Sequence, residues 1–221
     1  MLLFALVAHE VAHGWAAYQQ GDDTAYKLGR LTLNPLPHID PVMTIGMPAL
    51  LWFLSHGQFT FGGARPVPVL TRNYRNYRRG DLIVSSAGII TNLVLAVACA
   101  MLFAVVGILY RALIGQEGNT AGTAQRMLVW GIHLNLILAF FNLIPIPPLD
   151  GSRLFYHLLP ANWGARYRSI ERFGFLPLLV LLLFAPAAFL NTLMLPAWWT
   201  ERQLLQLVVP FAIGTTWNIF S

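Results

Sequence analysis

Charge is scarce in this chain of 221 residues: only 10% are Asp, Glu, Lys or Arg, while 57% are hydrophobic and the mean hydropathy is +0.60. Soluble domains carry about 25% charged residues, so the deficit excludes an ordinary soluble globular protein and points to a membrane protein. Lysine is nearly absent, Lys27 being the only one, so arginine carries the net charge of +5. No motif interleaves these arginines with aromatic residues, so nucleic acid is not expected as a partner and the excess reads as a topology signal. The single cysteine, Cys99, lies in an apolar run and allows no disulfide within the chain. The apolar start, Met1 to Ala8, has no basic flank, and ionisable residues stand where a cleavage site would be, so it is not a secretory signal peptide. Internal repeats and low-complexity segments are missing as well.

What is present is apolar sequence in long stretches: about 2–19, 82–110, 126–146 and 174–195, with a weaker one at about 204–219. A helix needs roughly 20 such residues to cross the hydrocarbon core. The stretches predict an all-α polytopic membrane protein with about five transmembrane helices. The run Pro41 to Leu54 is too short to span and contains Pro41, Gly46 and Pro48, which predicts a re-entrant or interfacial segment. Gly29 to Leu33 and Ala64 to Leu70 alternate or are punctuated by proline, which predicts small β-strands.

Ionisable residues interrupt the first stretch at His9-Glu10-Val11-Ala12-His13. Residues four apart lie on one helix face, so both imidazoles can bind one Zn²⁺, and the adjacent Glu can act as general base on water there. Each ionisable group in an apolar helix costs about 2.5–3.5 kcal/mol on insertion scales. Three within five residues require a compensating partner, and a metal is the obvious one.

A catalytic zinc site takes a third protein ligand. The candidate is Asp150, in Asn142-Leu143-Ile144-Pro145-Ile146-Pro147-Pro148-Leu149-Asp150-Gly151, where three prolines unwind the end of an apolar helix. Unwound backbone at membrane depth belongs against protein or a water-filled cavity. Spacing alone does not separate this reading from an ordinary helix exit with an interfacial Asp.

Taken together, HExxH in the first apolar helix and, more than a hundred residues later, an N-x-x-P-x-P-x-x-D-G run resemble the site-2 protease (M50) family of intramembrane zinc metalloproteases. Gly29-Arg30-Leu31-Thr32-Leu33-Asn34-Pro35, His38-Ile39-Asp40-Pro41, Pro66-Val67-Pro68-Val69 and Ser86-Ala87-Gly88-Ile89-Ile90-Thr91-Asn92 look like its compact branch, which lacks a PDZ domain. The resemblance covers about residues 1–155, the expected protease core, and leaves 156–221 as a C-terminal loop with further transmembrane helices. It implies His9, His13 and Asp150 as ligands of one zinc ion and Glu10 as the base. It implies Asn142 and Asn92 as residues that hold the substrate backbone or the developing oxyanion. Ile89 departs from the family, which usually has proline after Ala-Gly, and the lead before His9 is short, leaving the completeness of the first helix open.

Counting positive charges supports the arrangement. With 41–54 re-entrant, eleven Lys and Arg fall on the side of Asp150 and the end of the first helix, against three (Arg111, Arg126 and Arg202) on the other. That obeys the positive-inside rule and puts the site toward the cytoplasm of a bacterial cell (inner) membrane. His38 and Asp40 are candidates for outer-shell support of the metal ligands, or for a polar turn. His133 reads as a packed histidine, and His56 and His157 as interfacial loop residues. Arg72 to Arg79 mark a surface facing anionic headgroups, and Trp198-Trp199 fit the aromatic belt opposite. The expected activity is zinc-dependent endopeptidase hydrolysis in or near transmembrane segments, with a transmembrane protein or peptide as substrate, the bilayer as surroundings, and a homo-oligomer compatible with the sequence. A metal carrier or inactive adaptor is the rival class. The intact His9, Glu10, His13 and Asp150 argue against it.

Overall fold

The structure is a computed structural model that describes residues 1–54, 56–57, 62–113 and 119–213. Its helices are α1 (Leu2–Gln20), α2 (Thr24–Lys27), α3 (Met47–Leu54), α4 (Tyr77–Leu113), α5 (Asn119–Asn142), α6 (Asp150–Tyr156), α7 (Ala161–Arg168), α8 (Leu176–Phe184) and α9 (Ala187–Val208). α4 is the central element, with α1 along one side and α5 along another. Small side chains let these helices approach closely, as membrane packing favours. Ala96 and Ala100 of α4, with Phe103, meet Ile132 and Leu136 of α5 and Leu205 and Val208 of α9. A second cluster joins Ala16 and Ala17 of α1 to Val84 of α4 and to Tyr74.

The outward face of α4 is apolar as well: Ile90, Val94, Val97, Met101, Val105 and Ile108 are exposed. A helix apolar on its exposed face suits lipid, not water. With 37 residues, α4 extends about 55 Å, well beyond a hydrocarbon core of about 30 Å, so one end projects or the helix tilts.

Among the described residues, two helices are long and apolar enough to cross a membrane, Tyr77–Ala112 and Ala121–Asn142. A third span arises if Leu176–Phe184 and Ala187–Phe211 count as one, and these meet at 109°. Of the about five spans expected, two or three are thus long and apolar enough among the described residues. Pro186 explains the break at 174–195: Ala185 before it is extended (ψ 139°), and proline offers no N–H to continue α8. α1 is long enough at 19 residues, but His9, Glu10, His13 and the polar end at Gln19-Gln20 dilute its apolar character. Of the stretch 204–219, the first part belongs to α9 and the 3₁₀ turn Val209–Phe211, and the residues from 214 on lie outside those described. The run 41–54 is helical throughout, a wide π-type turn (Pro41–Gly46) leading into α3.

The expected strands are a second correction, since no β-strand occurs among the described residues. Residues 62–70 form no regular element, and Val67 and Leu70 are tied beside α1 without a partner strand. Pro66 and Pro68 have no N–H for a ladder, the Val67 N–H donates to Glu10 Oε2 (2.8 Å), and the Leu70 N–H donates to Asp22 Oδ2 (2.6 Å). The Glu10 side chain of α1 and the Asp22 side chain just beyond its end thus take the place of a neighbouring strand.

Candidate metal centre

His9 and His13 stand one turn apart on the inner face of α1, both buried. α4 fixes their outer ring nitrogens: His9 Nδ1 lies 2.7 Å from Asn92 Oδ1, and His13 Nδ1 lies 2.7 Å from the Val84 carbonyl. A carbonyl only accepts, so His13 donates from Nδ1. The Asn92 amide nitrogen donates to Asn135 Oδ1 (3.0 Å), which leaves Oδ1 to accept from His9 Nδ1. In each neutral ring the lone pair is therefore on Nε2. Nδ1 bonds of this kind orient histidines that ligate metals.

The third group arrives from the far end of the chain. α5 ends at Asn142, and turns through Leu143 to Leu149, with a cis bond between Pro147 and Pro148, lead into α6, whose first residue is Asp150. Gly151 is required here, because a Cβ would run into the backbone carbonyl of Leu143. Asp150 Oδ2 then lies 3.2 Å from His9 Nε2 and 3.1 Å from His13 Nε2, and the two Nε2 atoms are 3.0 Å apart.

Three electron-rich atoms thus converge in a buried place, and Asp150 Oδ2 has no hydrogen-bond donor. With both Nδ1 positions protonated, that convergence is repulsive unless a cation joins the three. Their separations suit zinc: bonds of about 2.0–2.1 Å in a tetrahedron place ligand atoms roughly 3.3 Å apart. The three residues form a candidate metal-binding cluster. Gly88 of α4 makes the room, since a Cβ there would lie 2.5 Å from His13 Nε2 and 2.6 Å from His9 Nε2.

Glu10 points away from the ligand nitrogens' outer partners, into a cavity of about 170 Å³ lined also by Pro66, Val69, Ser85, Asn142 and Arg153. Its bond from Val67 fixes one carboxylate oxygen. Asn142 lines the cavity with its amide nitrogen turned back to the Leu138 carbonyl (2.9 Å). Asn92 is fully buried between His9 and Asn135. His38 Nε2 meets the Thr32 carbonyl, and Asp40 caps the turn at Val42 and Met43, so the contacts behind His9 and His13 come from α4 instead.

Several residues escape the sequence reading. Gly88 and the Val84 carbonyl carry no chemical signal of their own, and Asn135 is visible only as a polar residue in an apolar helix. His157 is not a surface residue. It pairs with Asp81 Oδ2 at 2.7 Å, and both side chains are about 5% exposed or less. His133 packs between Trp130 and Trp198 and meets Glu201 at 2.9 Å. Below α1, Asp22 accepts from Leu70, Thr24 and Asn73. Burial alone would raise its carboxyl, but these donors outweigh burial and hold it below the usual carboxylate range.

A helical membrane protein with an HExxH helix and a carboxylate closing a zinc-sized cluster defines a class, the membrane zinc metalloproteases. The description "Peptidase family M50" matches residues 55–185, more than half of the chain. The relatives agree: "Putative zinc metalloprotease YwhC" of Bacillus subtilis (strain 168) is 42% identical over 183 residues, covering 81% of this chain and 77% of its own. The Rip2 proteins, named in the same words, of Mycolicibacterium smegmatis and Mycobacterium tuberculosis (strain H37Rv) are each 34% identical, over 84% and 82% of this chain. This chain covers 65% and 64% of those two, just under two-thirds of their length. No solved structure matches. The chain belongs to peptidase family M50 and is a zinc metalloprotease.

Proposed function

We propose that this protein is an intramembrane endopeptidase, cutting peptide bonds in or next to transmembrane segments of other membrane proteins. The observation that carries the reading is the convergence of His9, His13 and Asp150 beside Glu10, on helices whose outward faces suit lipid. Zinc, when bound, supplies Lewis acidity, lowering the pKa of water and polarising a carbonyl oxygen. His9, His13 and Asp150 would hold the metal, and Asn92 and Val84 keep the rings aimed. Glu10 removes a proton from water as its oxygen bonds to the carbonyl carbon, and returns it to the leaving nitrogen as the C–N bond breaks.

A transmembrane helix hides its peptide bonds in internal hydrogen bonds, so the substrate unwinds before it is cut. The stretch 62–70, tied by Val67 to Glu10 of α1 and by Leu70 to Asp22 beyond the end of that helix, borders the cavity and is where the unwound substrate lies. We place α1 within the bilayer beside α4, and the site toward the cytoplasm of a bacterial cell membrane. The arginine distribution and the bacterial relatives support that side and setting.

The test is cleavage of a panel of single-span substrates in detergent by wild type and Glu10→Gln, with zinc content assayed alongside. The variant is expected to keep zinc and lose activity by about 10²–10⁴-fold, the usual range for a general base. Equal activity in the two proteins would remove Glu10 from its role. A wild type without zinc would remove the site.

A further inference from the structure

The cavity beside Glu10 needs hydrogen-bond donors for the scissile carbonyl, and the two asparagines are poorly placed to supply them. Asn92 is buried behind His9, and the Asn142 amide nitrogen is bonded to its own helix. Two other donors line the same cavity. Arg153 is three residues beyond Asp150 on α6, a spacing that puts both on one helix face. Its side chain is 43% exposed, and Nη1 lies 3.8 Å from Asp81 Oδ1, the outer limit of an ion pair. Ser85 is 2% exposed, and its hydroxyl has no hydrogen-bond partner. A buried hydroxyl without a partner is unfavourable, and an oxygen brought into the adjoining cavity would supply one.

Behind Arg153 stands a support. Asp81 accepts from His157 at 2.7 Å on one oxygen and faces Arg153 with the other, which has no closer donor. On α4, Asp81, Ser85, Gly88 and Asn92 follow at steps of four, three and four, one stripe turned toward α1 and α6. The same helix face therefore makes room for the metal, aims His9, offers Ser85 and steadies Arg153.

We propose that the Arg153 guanidinium and the Ser85 hydroxyl are the protein's donors to the scissile carbonyl oxygen, with Asp81 and His157 as the positioning pair that holds Arg153 over the cavity. This rests on the endopeptidase reading above. A planar guanidinium with several N–H groups suits an oxygen that gains charge as water adds. Its weak hold on Asp81 leaves those donors available to substrate.

The experiment uses the zinc-loaded protein in detergent and two readouts. One is the kcat and KM of single-span cleavage. The other is the affinity of a phosphinic pseudo-dipeptide, whose tetrahedral anion replaces the peptide bond. Arg153→Gln is expected to lower kcat about 100-fold, the loss seen when one oxyanion donor is removed. KM and zinc content stay within threefold of wild type, and phosphinate affinity falls with kcat. Arg153→Lys recovers part of the loss, Ser85→Ala costs less, and Arg166→Gln, an exposed control, changes neither readout. Asp81→Asn lowers kcat on its own but adds nothing to Arg153→Gln, as expected of a residue acting through Arg153.

A kcat for Arg153→Gln within threefold of wild type overturns the proposal. So does a loss of activity that merely follows a loss of zinc or of thermal stability. If wild type cleaves no substrate, the endopeptidase reading fails while the donor assignment is still decided: equal phosphinate affinity in wild type and Arg153→Gln refutes it.

Discussion

Gly88→Ala puts one methyl group where the metal centre has no space. The new carbon would lie 2.5–2.6 Å from His9 and His13 ring atoms, about 1 Å inside a comfortable contact. Each ring is pinned at Nδ1 by a bond of 2.7 Å, so moving both rings aside sacrifices two hydrogen bonds, each of net value about 1 kcal/mol. Alanine in a helix offsets roughly 1 kcal/mol of that, and the metal-free variant should be destabilised by only about 1 kcal/mol. Zinc fares worse, because coordination tolerates errors of about 0.2 Å. Loss of an outer-shell partner alone costs about 10–100-fold in affinity. Displacing both ligands should exceed the upper end, more than about 2.7 kcal/mol. The assay is competition with a calibrated chelator, together with thermal unfolding with and without zinc. Wild type should gain stability from zinc by mass action, and Gly88→Ala should gain almost none while unfolding near the metal-free wild type. Full zinc binding within tenfold of wild-type affinity would refute the placement of the metal between these rings.

Asn92→Ala should lower zinc affinity by about 10–100-fold without removing a ligand, because it frees the His9 ring; chelator competition measures it, and an unchanged affinity would contradict the bond to Nδ1. Asp22 is held below the usual carboxylate range, so its contribution to stability is complete above its unfolded pKa of about 3.9 and is lost as the pH falls through its lower folded value. The gap in unfolding midpoint between wild type and Asp22→Asn should therefore narrow as the pH falls below the unfolded value, and a gap independent of pH would show that the carboxylate charge is not what Leu70, Thr24 and Asn73 hold.

The residues that could be read from sequence are those whose chemistry is uncommon in their surroundings. His9, Glu10 and His13 stand out because three ionisable groups in an apolar helix need a reason, and the structure joins Asp150 to them across more than a hundred residues. What was not legible depends on partners that a local reading cannot see. The stretch 64–70 alternates as a strand would, yet its N–H groups go to the His38 carbonyl, Glu10 and Asp22, and no local pattern separates such scattered acceptors from a neighbouring strand. The break after Ala185 was marked by Pro186, but a long apolar average from 174 to 195 concealed it. α4 makes the same point from the other side. Its hydropathy identifies a membrane helix, while one stripe (Asp81, Ser85, Gly88 and Asn92) is buried toward the site and the opposite stripe (Ile90, Val94, Val97 and Met101) is exposed as lipid requires. Averaging over the helix cancels the difference, whereas its 3.6-residue period preserves it. If the stripe is functional, polar substitutions on the lipid-facing side should impair insertion and leave the zinc affinity of the inserted fraction unchanged. Substitutions on the inner stripe should do the reverse. Equal effects on both sides would mean that α4 is a span and not a wall of the site.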